Sequence, residues 1–428
     1  SGNDLRDMFY LMLGLPIRIR TDVQPDSIRH IAGLPGSPST DKSALDFALA
    51  NDCAGENAWK AEVLKALSDY TKAQTRVSNY WTPYPLWLGE DDIIHPSFIC
   101  PGTVTRRPSG NSPNMLQVSK GAVRRIVKPR SPDNVIVSVD FASQELRVLA
   151  AVTGDKNFLS AYLHEAGEPD KDLHTMTACG VAPFLAKKTP GMHAQLQLDT
   201  DGKVNYEWYL GKRKEDSELG KFLEKIRHIS KTINFGAAYG GTAQTVSIQA
   251  MIPLDDAELA VNGMLNTYPG LNIWKAQVIK FAKRWGYVAT TYGSRRHCGN
   301  ILSTGNRSQI GRMERQLCNF LIQGQCGDLL KVVLAGAYRS KLFDRLGAYL
   351  IAPIYDELLA EVPKVNLYQY LHELADLMEI KMPGIVVPMV ADCSFGPTWA
   401  DQHEVGVRPS KEKIDSVLAL LEVADDSI

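Results

Sequence analysis

Residues 135–139 read Val-Ile-Val-Ser-Val, and the run ends on Asp140. β-branched residues at successive positions, and not only at alternate ones, form a strand covered on both faces, so a central strand in a layered fold is predicted. A carboxylate where such a strand ends is exposed to chemistry. A second signal over 348–354 leads into Tyr355-Asp356-Glu357 and on into 358–362, which reads as strand, tight turn, strand, with two acids at the turn. Apolar residues at helical spacing cover 4–15 and 58–70, separated by a Gly/Pro/Ser-rich turn at 33–39, and 93–120 reads as extended or looped chain. A helical block from about 160 to 345 is interrupted at 195–210, where Asp201-Gly202 between alternating residues predicts a hairpin.

A chain of 428 residues, 44% apolar, exceeds one ordinary core and suits two or three subdomains. No apolar stretch reaches the ~18 residues of a membrane span, so no membrane partner is expected. Seven scattered cysteines without CxxC pairs predict reduced thiols in a cytoplasmic compartment. The opening Ser1-Gly2-Asn3-Asp4 lacks an initiator Met and carries no signal peptide, so it reads as a trimmed or processed beginning. A formal charge of −1 argues against indiscriminate polyanion binding, which leaves local clusters. Lys120, Arg124, Arg125, Lys128 and Arg130 form one; Lys221, Lys225, Arg227 and Lys231 form another. Each is either a solvated face or a phosphate contact.

Phosphoryl transfer asks a protein chiefly to hold metal ions that bridge the reacting oxygens and neutralise charge. Magnesium takes oxygen ligands, and Asp140 and Asp356 are the evident pair. Over 226–240, Arg227, Lys231, Phe235 and Tyr239 recur every fourth residue and so share one helix face, with two cations preceding two aromatics. Such a face can hold a triphosphate and pack on sugar and base; the alternative is two core aromatics with two snorkelling cations.

These motifs resemble those of the family A DNA polymerases. Asp140-Phe-Ala-Ser-Gln-Glu-Leu-Arg147 resembles the first polymerase motif, Arg227-x-x-x-Lys231-x-x-x-Phe235-Gly236-x-x-Tyr239-Gly240 the second and Tyr355-Asp356-Glu357 the third. Thr105-x-Arg107, Ser112-Pro113-Asn114, Gln117, Asp172-x-His174, Asn319-x-x-x-Gln323-Gly324 and Gly396-x-x-Trp399-x-Asp401-Gln402 fill the intervals, so the likeness runs from about 10 to 405. It implies an α+β, right-hand polymerase fold with an antiparallel palm sheet in 86–170 and 317–428, helical fingers in 171–316, and a partial thumb in 1–85, short at its N-terminus. The implied activity is template-directed addition of dNTPs to a primer, with two Mg2+ ions or Mn2+ in their place. Asp140 and Asp356 would ligate the metals, with Glu357 and Lys231 completing the catalytic set. His174, Arg227, Lys231, Phe235, Tyr239 and Glu145 would bind the dNTP. Arg107, Arg147, Asn319, Gln323 and Tyr355 would contact primer-template DNA. Glu145 would block a ribose 2′-OH, and Phe235 would discriminate against dideoxynucleotides.

The sequence departs from bacterial relatives at Tyr355, where they carry His, and at His228, where Arg is usual. With the Ser-Gln-Glu order of the first motif, this fits a phage-type or organellar replicative enzyme acting in a cytoplasm or an organellar matrix. About thirty extra residues lie between His174 and Arg227, within 183–222. There Tyr206, Trp208 and Tyr209 with Lys212, Arg213 and Lys214 either stack on single-stranded template or form a packing hairpin. No proofreading nuclease is expected in this chain, and an upstream exonuclease domain or a replisome partner would supply it. The competing readings are a single-subunit RNA polymerase, disfavoured by Glu145 and Phe235, and an inactive DNA-binding relative in a replisome.

Overall fold

The computed structural model describes residues 2–21, 36–164, 168–189, 191–238 and 241–425. The chain divides into two compact units, one of 1–79 with 172–267 and one of 80–171 with 268–428. Residues 171–316 are therefore shared between the two.

The first unit is helical. Its N-terminal part holds Lys42–Asn51 and Ala58–Arg76, preceded by Gly2–Arg6 and the π-helical turn Asp7–Met12. Asp41 caps Lys42–Asn51 by accepting from the Ala44 N–H at 2.9 Å. Phe9, Leu13, Leu15, Leu45, Ala48 and Leu64 close a small core there. The predicted turn at 33–39 lies partly outside the described residues; Pro38 forms a single bridge with Arg20. In the rest of the unit, Leu173–Ala186 crosses Leu254–Thr267 at close range because both offer glycine at the crossing. A Cβ on Gly180 would lie 1.8 Å from Thr267 Oγ1, and one on Gly263 3.1 Å from Val181 Cα. Glu218–Ala238 buries Leu223, Ile226, Ile229 and Ile233, a 3–4 spacing that leaves Lys231 exposed and Arg227 half-buried.

The turn predicted at Asp201-Gly202 forms, with Gly202 at φ +74° and the Asp199 N–H donating to Lys203 O at 2.7 Å. Its arms stop at one bridge, Leu198 to Val204. The second arm instead becomes the helix Tyr206–Lys212, since Asn205 accepts from the Trp208 N–H at 3.0 Å and nucleates it.

Among the described residues the second unit carries nine strands: β1 (Ser97–Ile99), β2 (Ser109–Asn111), β3 (Asn134–Phe141), β4 (Tyr287–Ala289), β5 (Arg295–His297), β6 (Tyr349–Ile354), β7 (Glu357–Pro363), β8 (Ala391–Gly396) and β9 (His403–Val407). Five form an antiparallel sheet in the order β6-β7-β3-β8-β9, which gives the expected α+β class. β3 is central, and Val135, Ile136, Val137 and Val139 are at most 1% exposed. One face packs under the helix Leu367–Met378; Ile136 and Leu359 face a second core with Tyr80, Tyr84, Met115, Leu116 and Trp399. Burial on both faces, at roughly 1.5–3 kcal/mol for each large apolar side chain, is why the run is apolar on both faces, with Ser138 the one polar exception. The β4–β5 hairpin is a second break in the helical block, where the sequence predicts an interruption only at 195–210. Gly286 at φ +75° ends the helix Gly270–Trp285, and Gly293 at φ +89° closes the hairpin turn, so two glycines in positive-φ positions break the helical pattern.

Candidate active site

At its C-terminal end β3 places Asp140 opposite Glu357 of β7 on one side and Asp392 of β8 on the other. β6 and β7 join through the two-residue turn Tyr355-Asp356, where Tyr355 adopts φ +58°, a conformation costing a side-chain-bearing residue about 1 kcal/mol or more. The Phe141 N–H donates to Asp356 O at 3.2 Å and ties this turn to β3. Asp140 stays open to solvent, yet the protein around it removes enough hydration to lift its pKa to about 7, helped by the charges of Asp356, Glu357 and Asp392. Burial also raises Asp356, opposed by the nearby Arg107 cation. Glu357 is turned aside, accepting from Ser138 Oγ at 2.5 Å and from Trp399 Nε1 at 3.0 Å.

Glu145 stands in the first turn of the helix Gln144–Thr153 and pairs with Arg107, both side chains mostly buried. The Arg107 guanidinium lies 5.7 Å from the centre of the Tyr355 ring. Burial raises the Glu145 pKa against the pull of Arg107, and the thiol of buried Cys326 beside them is pushed well up for the same reason. Asn319 and Gln323 are half-buried where the helix Arg307–Asn319 passes into the π-helical turn Phe320–Gly324. Asn319 Oδ1 is buried with no hydrogen-bond partner among the described residues.

Arg147, expected at the DNA, is 2% exposed. Its guanidinium donates to Ala142 O at 2.7 Å, to Pro388 O at 2.9 Å and to Asp170, and lies 4.7 Å from the Tyr162 ring. Every face of the cation is occupied, so Arg147 is an internal strut and not a strand contact. In the first basic cluster, read as either a solvated face or a phosphate contact, three of the five cations have partners, while Lys120 and Lys128 are exposed. Arg124 covers Trp399 at 3.8 Å, Arg125 grips Asp401, and Arg130 pairs with Glu361 at 2.8 Å.

In the first unit, Asp172 caps the helix Leu173–Ala186, accepting from the His174 N–H at 3.1 Å and from Thr175 Oγ1 at 2.7 Å. The same carboxylate accepts from Arg227 Nε at 2.8 Å. Burial would raise Asp172, but these donors outweigh it and hold its pKa low. His174 Nδ1 lies 3.0 Å from Asn234 Nδ2, and burial with the cations Arg227 and Lys231 lowers its pKa. Arg227, Lys231 and His174 thus form one basic patch, in which Lys231 has no partner among the described residues. The side chain of Phe235 and the whole of Tyr239 lie outside the described residues. Sequence reasoning assigned no role to Asn234, named Asp172 only within a motif although an Asp just before a helix is a capping signal, and read Tyr206 as a stacking or packing residue of the insertion. Tyr206 Oη accepts from the Asp172 N–H at 2.9 Å, and so backs the patch. Of the inserted aromatics, Tyr209 cannot stack on template: it is 0% exposed with its hydroxyl donating to Leu223 O at 2.5 Å, while Tyr206 and Trp208 are half-buried. Arg213 and Lys212 pair with Glu224 and Glu215.

Asp140 and Asp356 offer hard oxygen donors that are bonded to no other side chain among the described residues, and burial first, then the neighbouring acids, raises the pKa of Asp140. That donor set fits a divalent cation. Among the described residues no three His, Cys, Asp or Glu side chains form a closed cage.

A family model, DNA polymerase family A, matches residues 28–191 and 212–401. The chain belongs to DNA polymerase family A. The match omits 192–211, the turn and all but the last residue of the Tyr206–Lys212 helix, so this segment is extra to the family pattern. DNA polymerase I of Chloroflexus aurantiacus is 26% identical over 422 residues, covering 94% of this family A chain and 40% of that protein. The thermostable DNA polymerase I of Thermus aquaticus is 26% identical over 396 residues, covering 87% and 40%. The chain therefore spans about 40% of the length of these relatives. Among solved structures, the POL domain of Pol1 from M. smegmatis, in complex with DNA primer-template and dNTP, aligns with a TM-score of 0.71 at 20% identity. That alignment covers 94% of this chain and 61% of the other, and at such identity the likeness is one of fold. No described helix is long and apolar enough to cross a membrane.

Proposed function

We propose that this chain is a template-directed DNA polymerase that joins dNTPs to a primer 3′-OH and releases pyrophosphate. The observation that carries the reading is the approach of Asp140 and Asp356 at the sheet end without a cation hydrogen-bonded to either. Two magnesium ions, when bound, lower the pKa of the primer hydroxyl and neutralise charge on the leaving pyrophosphate. The protein's part is to hold and exclude. Asp140 and Asp356 supply metal ligands, while Ser138 and Trp399 keep Glu357 beside them as a further negative charge. Arg227 and Lys231 supply positive charge to the triphosphate, and His174, its pKa lowered, donates as a neutral imidazole. Glu145, fixed by Arg107, occupies the space a ribose 2′-OH needs, and Arg107, Tyr355, Asn319 and Gln323 meet the primer-template end. In this reading 86–170 and 317–428 serve as palm, 171–316 as fingers and 1–85 as thumb. The bacterial relatives support action in a cytoplasm. The test is primer extension with magnesium, comparing dNTPs with rNTPs and the parent with Asp356→Ala. Extension by the parent that Asp356→Ala abolishes supports the reading; a folded parent that binds primer-template but never extends it refutes the reading.

A further inference from the structure

Residues 268–313 contain eight Lys and Arg and no Asp or Glu, although 48 acids in 428 residues would place about five in such a stretch. Its helix Gly270–Trp285 ends on Lys283, Arg284 and Trp285 and runs into the β4–β5 hairpin. Cations in a last helical turn are favoured by the helix dipole, which accounts for Lys283 and Arg284. It does not account for the aromatics. Phe281 is 44% and Trp285 55% exposed, one helical turn apart. Tyr287 meets the Phe281 ring edge-on at 5.9 Å, and register puts Tyr287, Arg295 and His297 on one face of the hairpin. Arg284 lies 5.1 Å from the Trp285 ring and Arg295 4.6 Å from that of Tyr287. The hairpin is rigidly seated: Thr290 Oγ1 and Ser294 Oγ donate to Asp328 at 2.7 and 2.9 Å, and the Thr291 N–H donates to Gln325 Oε1 at 2.9 Å. Those acceptors belong to the helix Gln325–Arg339, which continues the segment carrying Asn319 and Gln323.

We propose that this face, Phe281, Trp285 and Tyr287 set among Arg284 and Arg295, is an accessory binding surface for single-stranded DNA. Bases stack on exposed aromatic planes regardless of sequence, and the surrounding cations neutralise phosphates. Absence of acids across the stretch removes the repulsion a polyanion would otherwise meet. The choice of occupant rests on the polymerase reading, since a primer-template presents an unpaired 5′ template strand. An acidic protein segment would satisfy the cations but has no call for the open ring faces.

The test uses the full chain with a labelled oligothymidylate of roughly 16 nucleotides, read by fluorescence anisotropy across salt concentrations. Phe281→Ala/Trp285→Ala is expected to weaken binding at least about tenfold, with Trp285→Tyr restoring most of the loss in the Phe281 background. Arg284→Ala/Arg295→Ala should flatten the slope of log affinity against log salt by about 1.4. Single-nucleotide extension on a template with a one-nucleotide overhang should be unchanged in both, whereas affinity for a long overhang falls. Parent-like oligonucleotide binding by both variants overturns the proposal, and so does equal loss on short and long overhangs. Binding of a glutamate-rich peptide with none of the oligonucleotide also overturns it. A parent that binds the oligonucleotide through these residues but extends no primer keeps the surface and sinks the polymerase reading alone; extension without variant-sensitive binding does the reverse.

Discussion

Replacing Arg147 by Met separates an internal strut from a DNA contact. Methionine retains length and apolar bulk but removes every donor. Two backbone carbonyls, Ala142 O and Pro388 O, then lose charged donors at 2.7 and 2.9 Å, Asp170 loses its guanidinium, and the Tyr162 ring loses its cation. A buried acceptor left unmade costs about 1–3 kcal/mol, and breaking a buried ion pair from one side about 3–5 kcal/mol. Asp170 is 33% exposed and keeps His164 at 2.8 Å, so the pair contributes at the low end. A loss of about 5 kcal/mol or more follows, or roughly 10–20 °C in the melting temperature of a unit this size. Scanning calorimetry or urea titration reads the stability, and primer-template binding is measured at a temperature where both proteins are folded. Unchanged melting with weakened DNA binding would refute the argument, since only a solvent-facing arginine could behave so.

Without divalent metal, Asp140→Asn should stabilise the protein at alkaline pH. The carboxyl's pKa rises from 3.8 to about 7 on folding, so stability is lost as pH climbs between those values and the Asn variant escapes the loss. The full shift would be ~4 kcal/mol, and solvent screening of an exposed group reduces it to ~1 kcal/mol; the gain should vanish below pH 4, as urea titrations at several pH values would show. Tyr206→Phe removes one hydrogen bond behind Asp172 and should raise the KM for dNTPs about fivefold with kcat unchanged, a split that steady-state extension kinetics resolves. Glu145→Ala should admit rNTPs, and failure to do so in extension assays would contradict its assigned place beside Arg107. Gly180→Ala should cost about 1–3 kcal/mol by overpacking against Thr267, and Thr267→Ala should recover much of it in a double-mutant cycle.

The sequence by itself determined the central strand, the acidic turn and the spacing of Arg227 and Lys231, because strand burial and helical repeat are local periodicities that residue types record. It also marked the Asp201-Gly202 turn, where glycine meets a positive φ. Only tertiary structure decided what the cations do. Arg147, Arg124, Arg125 and Arg130 look in the sequence like any other basic residues beside a motif, yet their partners Asp170, Trp399, Asp401 and Glu361 lie 23 to 276 positions away. An ion pair or a buried guanidinium is a long-range coincidence of position that no local pattern encodes. The second arm of the insertion was decided the same way, as Asn205 capped a helix and Tyr209 found the carbonyl of Leu223. An arginine's charge is written in the chain; whether that charge is already used depends on which distant carboxylate the fold brings to it.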